Sequence, residues 1–330
     1  MRAEQGRGLR AQDSGLRTLD SGLYLARLIL KLGIALPHFG PYASPQAIVT
    51  VARRAESLGF SSLWVLERLL WPVAPASKYP GNPRGEMPGP MRNAYDPLTV
   101  LSFAAAHTEK ILLGTSVLIA GYRSPAVTAK MIATLDVLCG GRVIVGLGAG
   151  WSADEFVAVG RGIEERNQQA DEFIELLREF WKTEEVQFDG KYYRVPRSVF
   201  LPKPLQTPGP PIWIGGNSER ALRRVAAYGD GWHPTSRMPI AEMTKKFAFV
   251  SQLAREQGRD GKKIDLTLRW NAFPDLRDPA HRLAVRQRLL EYREAGVKHI
   301  CIDLNIPNPI SIESMIEKME RLMGEIVPTL

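Results

Sequence analysis

The stretch Gly141–Trp151, GRVIVGLGAGW, carries three glycines spaced two apart at the end of an apolar run. Glycine has no side chain, so a ligand can approach the backbone closely at such a place. The spacing Gly146-x-Gly148-x-Gly150 departs from the GxGxxG pattern of dinucleotide-binding folds, which opens the first βαβ unit and precedes an acidic residue about 20 positions on. The pattern therefore indicates either a phosphate or cofactor site of another kind or a crowded strand end that needs small residues.

A second glycine-rich strand end occurs in the stretch IWIGGNSERAL, where Gly215, Gly216 and Asn217 precede a helix that begins near Ser218. Backbone N–H groups at a helix N-terminus, together with the positive end of the helix dipole, are suited to bind a phosphate group. Asn217 or Ser218 is equally suited to be a plain N-cap. Two glycine-rich ends on adjacent strands together predict a phosphorylated cofactor that lies across both.

A third irregular strand end is LGTSVLIAGYRSP, in which Gly114, Thr115 and Ser116 interrupt an otherwise apolar run. Such an interruption indicates irregular backbone beside a pocket, and its alternative is a simple strand-end turn. We therefore expect this strand end to lie beside the pocket that holds the cofactor.

The elements that must position these strand ends are apolar runs alternating with amphipathic helical patterns from Leu30 onward. The first unit is the strand LKLGIALP and a helix that starts at Ser44 and Pro45 and ends at Gly59, and eight such units are predicted in all. Because the strands are apolar throughout and separated by single helices, they favour a parallel sheet covered by helices. Eight units predict a closed (β/α)8 TIM barrel rather than an open sheet.

Two long stretches interrupt this alternation, Arg68–Tyr95 after the second strand and Trp151–Pro211 after the fourth. The loops that follow the strands of a TIM barrel lie at its carboxyl end, where active sites are found. The second stretch also contains the helical pattern Asn167–Lys182 and the dipeptide Asp189-Gly190 between β-rich flanks, which predicts a hairpin. Long loops in a compact domain are more often functional than idle, so we expect the first stretch to be a lid over the barrel mouth.

The composition is that of an ordinary soluble protein, with 330 residues, 45% of them hydrophobic and 24% charged, and a formal net charge of +8. The basic residues are scattered, which indicates a solvated surface, and the sequence contains no nucleic-acid-binding motif. Cys139 and Cys301 are far apart and form no CxxC pair, so neither a disulfide framework nor a zinc site is predicted. A reducing, cytoplasmic location is therefore expected.

Residues 1–30 differ from the rest of the chain because they show no strong periodicity before Leu23. Their apolar part is interrupted by Arg27 and followed by Lys31, so neither a signal peptide nor a membrane span is predicted. We interpret residues 1–30 as a disordered extension and residues 31–330 as a single domain, and we expect no membrane partner.

Several blocks of the sequence resemble the bacterial-luciferase-like flavin superfamily and, more narrowly, its coenzyme F420-dependent oxidoreductase branch. The blocks are GFSSLWVLERLLWP, DPLTVLSFAAAHTEKILLGTSVL, SPAVTAKMIATLDVLCGGRVIVGLGAGWSADEF and KPLQTPGPPIWIGGNSERALRRVAAYGDGW, in this order between about Leu32 and Trp232. The resemblance implies a TIM barrel of the luciferase-like type that binds a flavin or deazaflavin at its carboxyl end.

The resemblance also implies roles for individual residues. A non-prolyl cis peptide that supports the cofactor ring is expected at Ser116–Val117, and Ala149 and Gly150 match positions whose backbone lies along the cofactor. The segment that matches the phosphate-binding residues of the family comprises Gly215, Gly216, Asn217 and Ser218.

The chain departs from the family pattern at two places. Many F420 enzymes carry Asp-His where this chain has Glu67-Arg68, and Trp151 occupies the position of a glutamate in the sugar-phosphate dehydrogenases of the group. Glu67 is a candidate proton relay, because a carboxylate at a semi-apolar mouth can have a raised pKa, and its alternative is a salt bridge with Arg68. Arg68 or Arg92 is expected to hold an anionic group of the substrate.

Histidines and tryptophans also follow the predicted strands. His38 and His233 lie at mouth positions, although a structural hydrogen bond is the more frequent role of a lone histidine. The predicted catalytic residues are Glu67, Arg68 and His38. Five tryptophans are candidates for the wall of the ring pocket, with core packing as their alternative: Trp64, Trp71, Trp151, Trp213 and Trp232.

These observations lead to an expected function as an F420-dependent oxidoreductase that transfers a hydride between the deazaflavin and a small organic substrate under the lid. The alternatives are a two-component FMN-dependent monooxygenase, which needs a flavin reductase partner and O2, and a non-catalytic flavin-binding protein. A homodimer and a reductase for flavin or F420 are the possible protein partners, and no nucleic-acid partner is expected.

Overall fold

A computed structural model describes residues 30–330, and in it eight parallel strands form the centre of the fold. They are β1 (Lys31–Ala35), β2 (Ser62–Val65), β3 (Leu112–Thr115), β4 (Val143–Gly148), β5 (Ile212–Gly215), β6 (Gly231–His233), β7 (Asp265–Trp270) and β8 (Val297–Ile302). The predicted disorder of residues 1–30 falls, apart from residue 30, outside the described residues.

Each strand pairs in parallel with the next along the chain, and β8 pairs with β1, so the sheet closes on itself. This closure confirms the predicted TIM barrel. The chain after β3 bends and then returns to the sheet as the two-residue strand Leu118–Ile119, which pairs with the end of β4. The interruption that the sequence predicted at Ser116 is therefore a real break in strand pairing.

Eight helices surround the barrel, and the first two begin at a side-chain N-cap, because Ser44 and Asp96 accept from the N–H groups of Ala47 and Thr99. Gly59 follows the first helix with a φ of +83°, the left-handed conformation that glycine adopts readily. The helices are α1 (Pro45–Ser57), α2 (Pro97–Ala105), α3 (Pro125–Leu138), α4 (Arg166–Lys182), α5 (Glu219–Tyr228), α6 (Ile240–Glu256), α7 (Pro279–Glu294) and α8 (Ile312–Arg321).

The interior of the barrel contains stacked aromatic rings as well as the aliphatic side chain of Ile144. Trp64 stacks on Trp213 and on His233, with ring centroids 5.2 and 5.4 Å apart. Space for these rings comes from Gly33 and Gly114, where a Cβ would lie 2.3 Å from the nearest Trp64 ring atom. Trp64 and Trp213 are therefore core residues, and the prediction that they wall the ring pocket is wrong.

Both predicted insertions are present. Residues 66–96 connect β2 to α2, and the segment after β4 contains a short helix, Ala153–Ala158, before α4. The predicted hairpin is formed by the antiparallel strands Glu185–Asp189 and Arg194–Val199. Within residues 30–330, no helix is long and apolar enough to cross a membrane.

Candidate active site

Two connected cavities lie at the carboxyl ends of the barrel strands. The lid cavity, of about 420 Å³, lies under the 66–96 insertion, and the glycine cavity, of about 320 Å³, lies beside the ends of β4 and β5. Their sizes are in the usual range for small-molecule sites. The residues common to both include Ser116, Val117, Ile119, Trp151, Thr235 and Arg269, so the two cavities form one cleft with two lobes.

Ten of the eleven residues predicted for the site line this cleft. The lid cavity contains Glu67, Arg68 and Asn217, the glycine cavity contains Ala149, Gly150, Gly215 and Ser218, and Ser116, Val117 and Gly216 line both. The exception is His38.

His38 is fully buried and does not line either cavity. Its Nδ1–H donates to the carbonyl oxygen of Leu36 at 2.9 Å, and its Nε2 accepts from the N–H of Leu66 at 3.0 Å. Burial lowers the pKa of this imidazole, in agreement with a neutral ring. These contacts tie the end of β1 to the end of β2, which is the structural role, and both ring nitrogens are already used. The structure thus gives His38 a structural role and does not bring it into the cleft with the other two predicted catalytic residues, Glu67 and Arg68.

The peptide bond between Ser116 and Val117 is cis, at the position that the family resemblance implied. Arg269 holds this segment from behind, because its Nη1 donates to the carbonyl oxygen and, at 3.2 Å, to the Oγ of Ser116. A buried ion pair with Asp303 fixes the Arg269 guanidinium, and Asp303 in turn accepts from the N–H of Asn305 at 2.9 Å. Arg269 and Asp303 therefore position the shared wall of the two cavities.

A chain of hydrogen bonds continues from Ser116 into the barrel. Thr267 donates to the carbonyl oxygen of Trp232, so it accepts from His233 Nδ1 at 2.7 Å, and His233 Nε2 accepts from Ser116 Oγ at 2.9 Å. Burial and the positive charge of Arg269 lower the pKa of His233 to about 3. His233 is a neutral, fixed ring beneath the cleft, in keeping with the structural role that the sequence favoured.

The salt bridge between Glu67 and Arg68, which was the alternative role considered for Glu67, does not form. Glu67 forms an ion pair with Arg123 and accepts from the N–H of Ile119 at 2.5 Å, whereas Arg68 pairs with Glu155 at 3.1 Å. Neighbouring residues of an extended chain point to opposite sides, so Glu67 and Arg68 reach different partners. The carboxylates of Glu67 and Glu155 are both buried, and each joins two segments of the barrel mouth.

Glu155 anchors the start of the 66–96 insertion. One carboxylate oxygen accepts from the N–H groups of Leu69 and Leu70 at 2.7 and 3.1 Å, and the other accepts from the hydroxyl of Tyr122 at 2.7 Å. With Arg68, these contacts give the carboxylate four partners in a buried position. The insertion is thus attached to the short helix after β4 at its buried start by Glu155, and further along by Asp154, which accepts from the N–H of Ala76 at 3.0 Å.

We expect the variant Glu155→Gln to loosen this attachment. The neutral amide leaves Arg68 buried without a counter-ion. The hydrogen bonds from the N–H groups of Leu69 and Leu70 are charge-assisted in the parent and lose about half of their strength in the variant. Limited proteolysis is expected to cleave the 66–96 insertion at least about 10-fold faster than in the parent, since local opening then costs less free energy. The variant Glu164→Gln is the control, because Glu164 is exposed and lies, like Glu155, in the segment between β4 and α4; it should leave the cleavage rate unchanged. Equal cleavage of both variants would contradict this role of Glu155.

Trp151 forms the part of the cleft wall between the two insertions. Its ring lies edge-to-face with Tyr79, with centroids 5.3 Å apart, and the Arg68 guanidinium lies 4.9 Å from its centre. A guanidinium over an indole is a favourable cation–π arrangement. Of the five tryptophans proposed for the ring wall, Trp151 lines the cleft, while Trp232 is buried and donates from Nε1 to the carbonyl oxygen of Gly216 at 2.8 Å.

The glycines in and after β4 support both interpretations of their spacing, a crowded strand end and close access to the backbone. A Cβ at Gly146 would lie 1.9 Å from the carbonyl oxygen of Thr115, so this glycine is required by strand crowding. Gly150 has a φ of +84° and lines the glycine cavity, where a Cβ would lie 2.7 Å from Ile119. The crowded-strand interpretation holds for Gly146, and close backbone access accounts for the end of the strand.

The N-terminus of α5 opens into the glycine cavity. Ser218 is the N-cap and accepts from the N–H of Ala221 at 3.3 Å, as one of the two interpretations predicted. Gly216, with a φ of +108°, and Asn217 are exposed just before the helix. The first N–H groups of an α-helix have no intrahelical acceptor, so this end can bind an anion.

Besides Arg269, two arginines line the same cavity, one from α4 and one from α5 itself. Arg224 is buried and its charge is balanced by Asp171. Arg166, the first residue of α4, donates to the carbonyl oxygen of Ile163 at 2.9 Å, and no carboxylate of residues 30–330 lies within 4 Å of its guanidinium. The glycine cavity therefore combines accessible backbone, a helix N-terminus and one unbalanced positive charge, which suits a phosphate group.

Sequence reasoning missed Arg269, Asp303, Glu155 and Arg166. The available signal was the charge of Arg269 inside the apolar strand IDLTLRW and of Asp303 directly after the apolar strand KHICI. Arg92, which sequence reasoning proposed as an anion holder, is exposed and does not line either cavity. Within the described part of the chain, no group of three or more His, Cys, Asp or Glu side chains is arranged to bind a metal ion.

Known proteins with similar sequences include redox enzymes that use two different cofactors. The F420-dependent glucose-6-phosphate dehydrogenase of Amycolatopsis mediterranei is 32% identical over 73% of this chain and 68% of its own length. The FMNH2-dependent dimethylsulfone monooxygenase of Pseudomonas putida is 33% identical over 56% of this chain and 50% of its own length. An uncharacterized protein of Mycobacterium tuberculosis is 34% identical over 68% of this chain and 79% of its own length.

Solved structures agree with this relationship at the level of the fold. The monooxygenase RslO1 from Streptomyces bottropensis superimposes with a TM-score of 0.75 at 21% identity, covering 91% of this chain and 99% of the other. The family model described as luciferase-like monooxygenase matches residues 30–298. The chain therefore belongs to the luciferase-like monooxygenase family of oxidoreductases.

Proposed function

We propose that this chain is an F420-dependent oxidoreductase that transfers a hydride between the deazaflavin and a small organic substrate. The observation that carries the proposal is the cleft with two lobes, whose shared wall contains the cis Ser116–Val117 peptide. The glycine cavity suits a phosphorylated tail, and the shared wall suits a flat ring. The lid cavity is then left for the substrate, which is the division of space that a hydride transfer requires.

The residues present fit such a cofactor by the chemistry of their donors. Gly215, Gly216 and the first turn of α5 offer backbone N–H groups, and Arg166 offers a charge without a counter-ion among the described residues. When bound, F420 supplies the carbon that donates or accepts the hydride. The protein positions the ring against Ser116 and Val117 and excludes water with Trp151 and the lid.

Glu67 stays the proposed proton relay of this site. Its carboxylate lines the lid cavity, where it lies between the Arg123 guanidinium and the N–H of Ile119. The carboxylate is therefore held in one position beside the space for substrate, as a group that exchanges a proton with a substrate must be.

An FMN-dependent monooxygenase that works with a separate flavin reductase is the second candidate. The observation that favours it is the 33% identity to the FMNH2-dependent monooxygenase, although that relative matches less of this chain than the F420-dependent relative does. Oxygen consumption in the presence of a reductase, FMN and NADH, coupled to oxidation of a candidate substrate, would identify this activity. Homodimer formation and a cytoplasmic location stay predictions from the sequence.

Fluorescence titration of the purified protein with F420 and with FMN tests the proposal. We expect F420 to bind at least about 10-fold more tightly than FMN. The variant Arg166→Glu should weaken F420 binding by about 10- to 100-fold, because an attraction to the phosphate becomes a repulsion in a partly buried site. Lys182→Glu, at the far end of α4, is the matched control and should bind as the parent does. Tight FMN binding without F420 binding would favour the monooxygenase instead.

A further inference from the structure

The lid cavity has an inner part that the glycine cavity does not share. Its apolar surface comes from Leu66, Met91 and Ile306, which pack with Phe39 in a buried cluster. Its polar surface comes from Arg68, Tyr79, Arg237 and Asn271. This inner part is the space that the proposed function assigns to the substrate, so its chemistry bears on what the substrate is.

The charges of this inner part do not cancel. Arg68 pairs with Glu155, and Arg269 pairs with Asp303. Glu67 pairs with Arg123, which also binds the exposed Asp96. Arg237, an exposed residue, lines the outer side of the cavity, and no carboxylate in residues 30–330 lies within 4 Å of its guanidinium. Among the charged groups that line the cavity, Arg237 is therefore the one without a partner of opposite charge in the described residues, whereas the Glu67 carboxylate is already paired.

Two hydrogen-bond donors in the same place also lack acceptors. The Arg68 side chain is only 5% exposed, and its Nε–H has no hydrogen-bond partner. The Tyr79 side chain is half-buried, and its hydroxyl has no hydrogen-bond partner within the described residues. A buried donor without an acceptor is costly, so the Arg68 Nε–H indicates that an acceptor from outside the protein completes it. The Tyr79 hydroxyl is a second donor that such an acceptor can reach from the same cavity.

We propose that the inner lid cavity binds an organic anion, in which a carboxylate accepts from Arg68 Nε, Tyr79 and Arg237 while an apolar body contacts Leu66, Met91 and Ile306. The proposal rests on the proposed function, because it identifies this anion as the substrate class of the reaction. A carboxylate fits because guanidinium groups and a phenol donate to its two oxygens with charge-assisted hydrogen bonds. A neutral ligand of the same shape would gain no charge-assisted hydrogen bond from Arg237.

Benzoate and benzamide are suitable probes because they differ in charge and hardly in shape. Each is titrated into the protein with and without the cofactor that binds in the experiment above, and tryptophan fluorescence or the midpoint of thermal unfolding reports binding. We expect benzoate to bind at least about 10-fold more tightly than benzamide. The variant Arg237→Glu should abolish this preference, Arg237→Lys should retain part of it, and Tyr79→Phe should reduce benzoate affinity about 3- to 10-fold.

The variant Arg255→Glu is the matched control, because Arg255 is an exposed arginine on α6 whose replacement changes the net charge equally. Equal affinity for the two probes, or an unchanged preference in Arg237→Glu, would overturn the proposal. It would also be overturned if Arg237→Glu weakened cofactor binding while the probe preference stayed, since the donors would then serve the cofactor. If neither F420 nor FMN binds, the proposed function fails, whereas the titration of the cofactor-free protein still decides the anion site.

Discussion

Replacing Arg269 by methionine is expected to destabilise the folded chain by about 3–5 kcal/mol, the usual cost of removing one partner of a buried ion pair. The variant leaves the Asp303 carboxylate, which is fully buried, without a counter-ion. It also removes the donors to the carbonyl oxygen and the hydroxyl of Ser116. Urea unfolding followed by circular dichroism measures the change, and a loss below about 1 kcal/mol would show that the pair is not a structural requirement.

The double variant Arg269→Met/Asp303→Asn separates the charge from the packing. Asparagine keeps an acceptor for the N–H of Asn305 but carries no charge, so we expect it to recover at least half of the lost stability. The variant Glu185→Gln breaks an exposed pair with Arg197 and is the control, with an expected change below about 1 kcal/mol. A double variant as unstable as Arg269→Met would mean that the hydrogen bonds to Ser116, rather than the buried charge, account for the loss.

Arg269 also connects stability to the site, because it holds the wall that both cavities share. If the Ser116–Val117 segment must be fixed for the ring to bind, Arg269→Met should weaken cofactor binding even at temperatures where the variant is fully folded. Positioning of a binding wall by a residue behind it is a common requirement of precise sites. The cofactor titration at 10 °C therefore separates a positioning role from a purely structural one.

The barrel could be predicted from the sequence because its signals are local and repeated. The strand IWIGG, the cap at Ser218 and the left-handed Gly59 each follow from residue types within a few positions. Strand closure then follows from counting eight parallel units. The same local logic located Gly150 and Gly216 at the cleft, since glycine-rich strand ends are recognisable without knowledge of the tertiary structure.

The contacts between distant segments could not be read in the same way. Glu155 accepts from the N–H of Leu69, which lies 86 residues earlier in the chain, and no local pattern in the sequence indicates this contact between the two insertions. The ion pair Arg269–Asp303 is easier to infer from the sequence than the contacts of Glu155. In the barrel, β7 and β8 are neighbours, and the register places Arg269 beside Cys301, two residues before Asp303. Once adjacency of the strands is assumed, a charge near the end of each strand predicts an ion pair.

The stability of the fold is expected to fall steeply between pH 6.5 and pH 5 because of two histidines inside the barrel. Burial, reinforced by the charge of Arg269 for His233 and of Lys31 for His299, lowers the pKa of each to about 3. In the unfolded chain the same groups bind protons near pH 6.5. The unfolded state therefore takes up more protons as the pH falls below 6.5, so stability present above this pH is lost toward pH 3. At pH 5 the loss is about 2 kcal/mol for each histidine.

The variant His299→Gln tests this origin of the acid sensitivity. Ser62 accepts from Trp64 Nε1 and donates to His299 Nε2 at 2.7 Å, and the glutamine oxygen can accept in its place without binding a proton. We expect the dependence of unfolding free energy on pH to decrease by about 1.4 kcal/mol per pH unit between 5 and 6.5. The difference in unfolding free energy between parent and variant at pH 7.5 gives the packing cost alone, because the parent's His299 is neutral there in both the folded and the unfolded state. A variant with the parent's pH dependence would show that protonation of His299 does not limit the acid stability of the barrel.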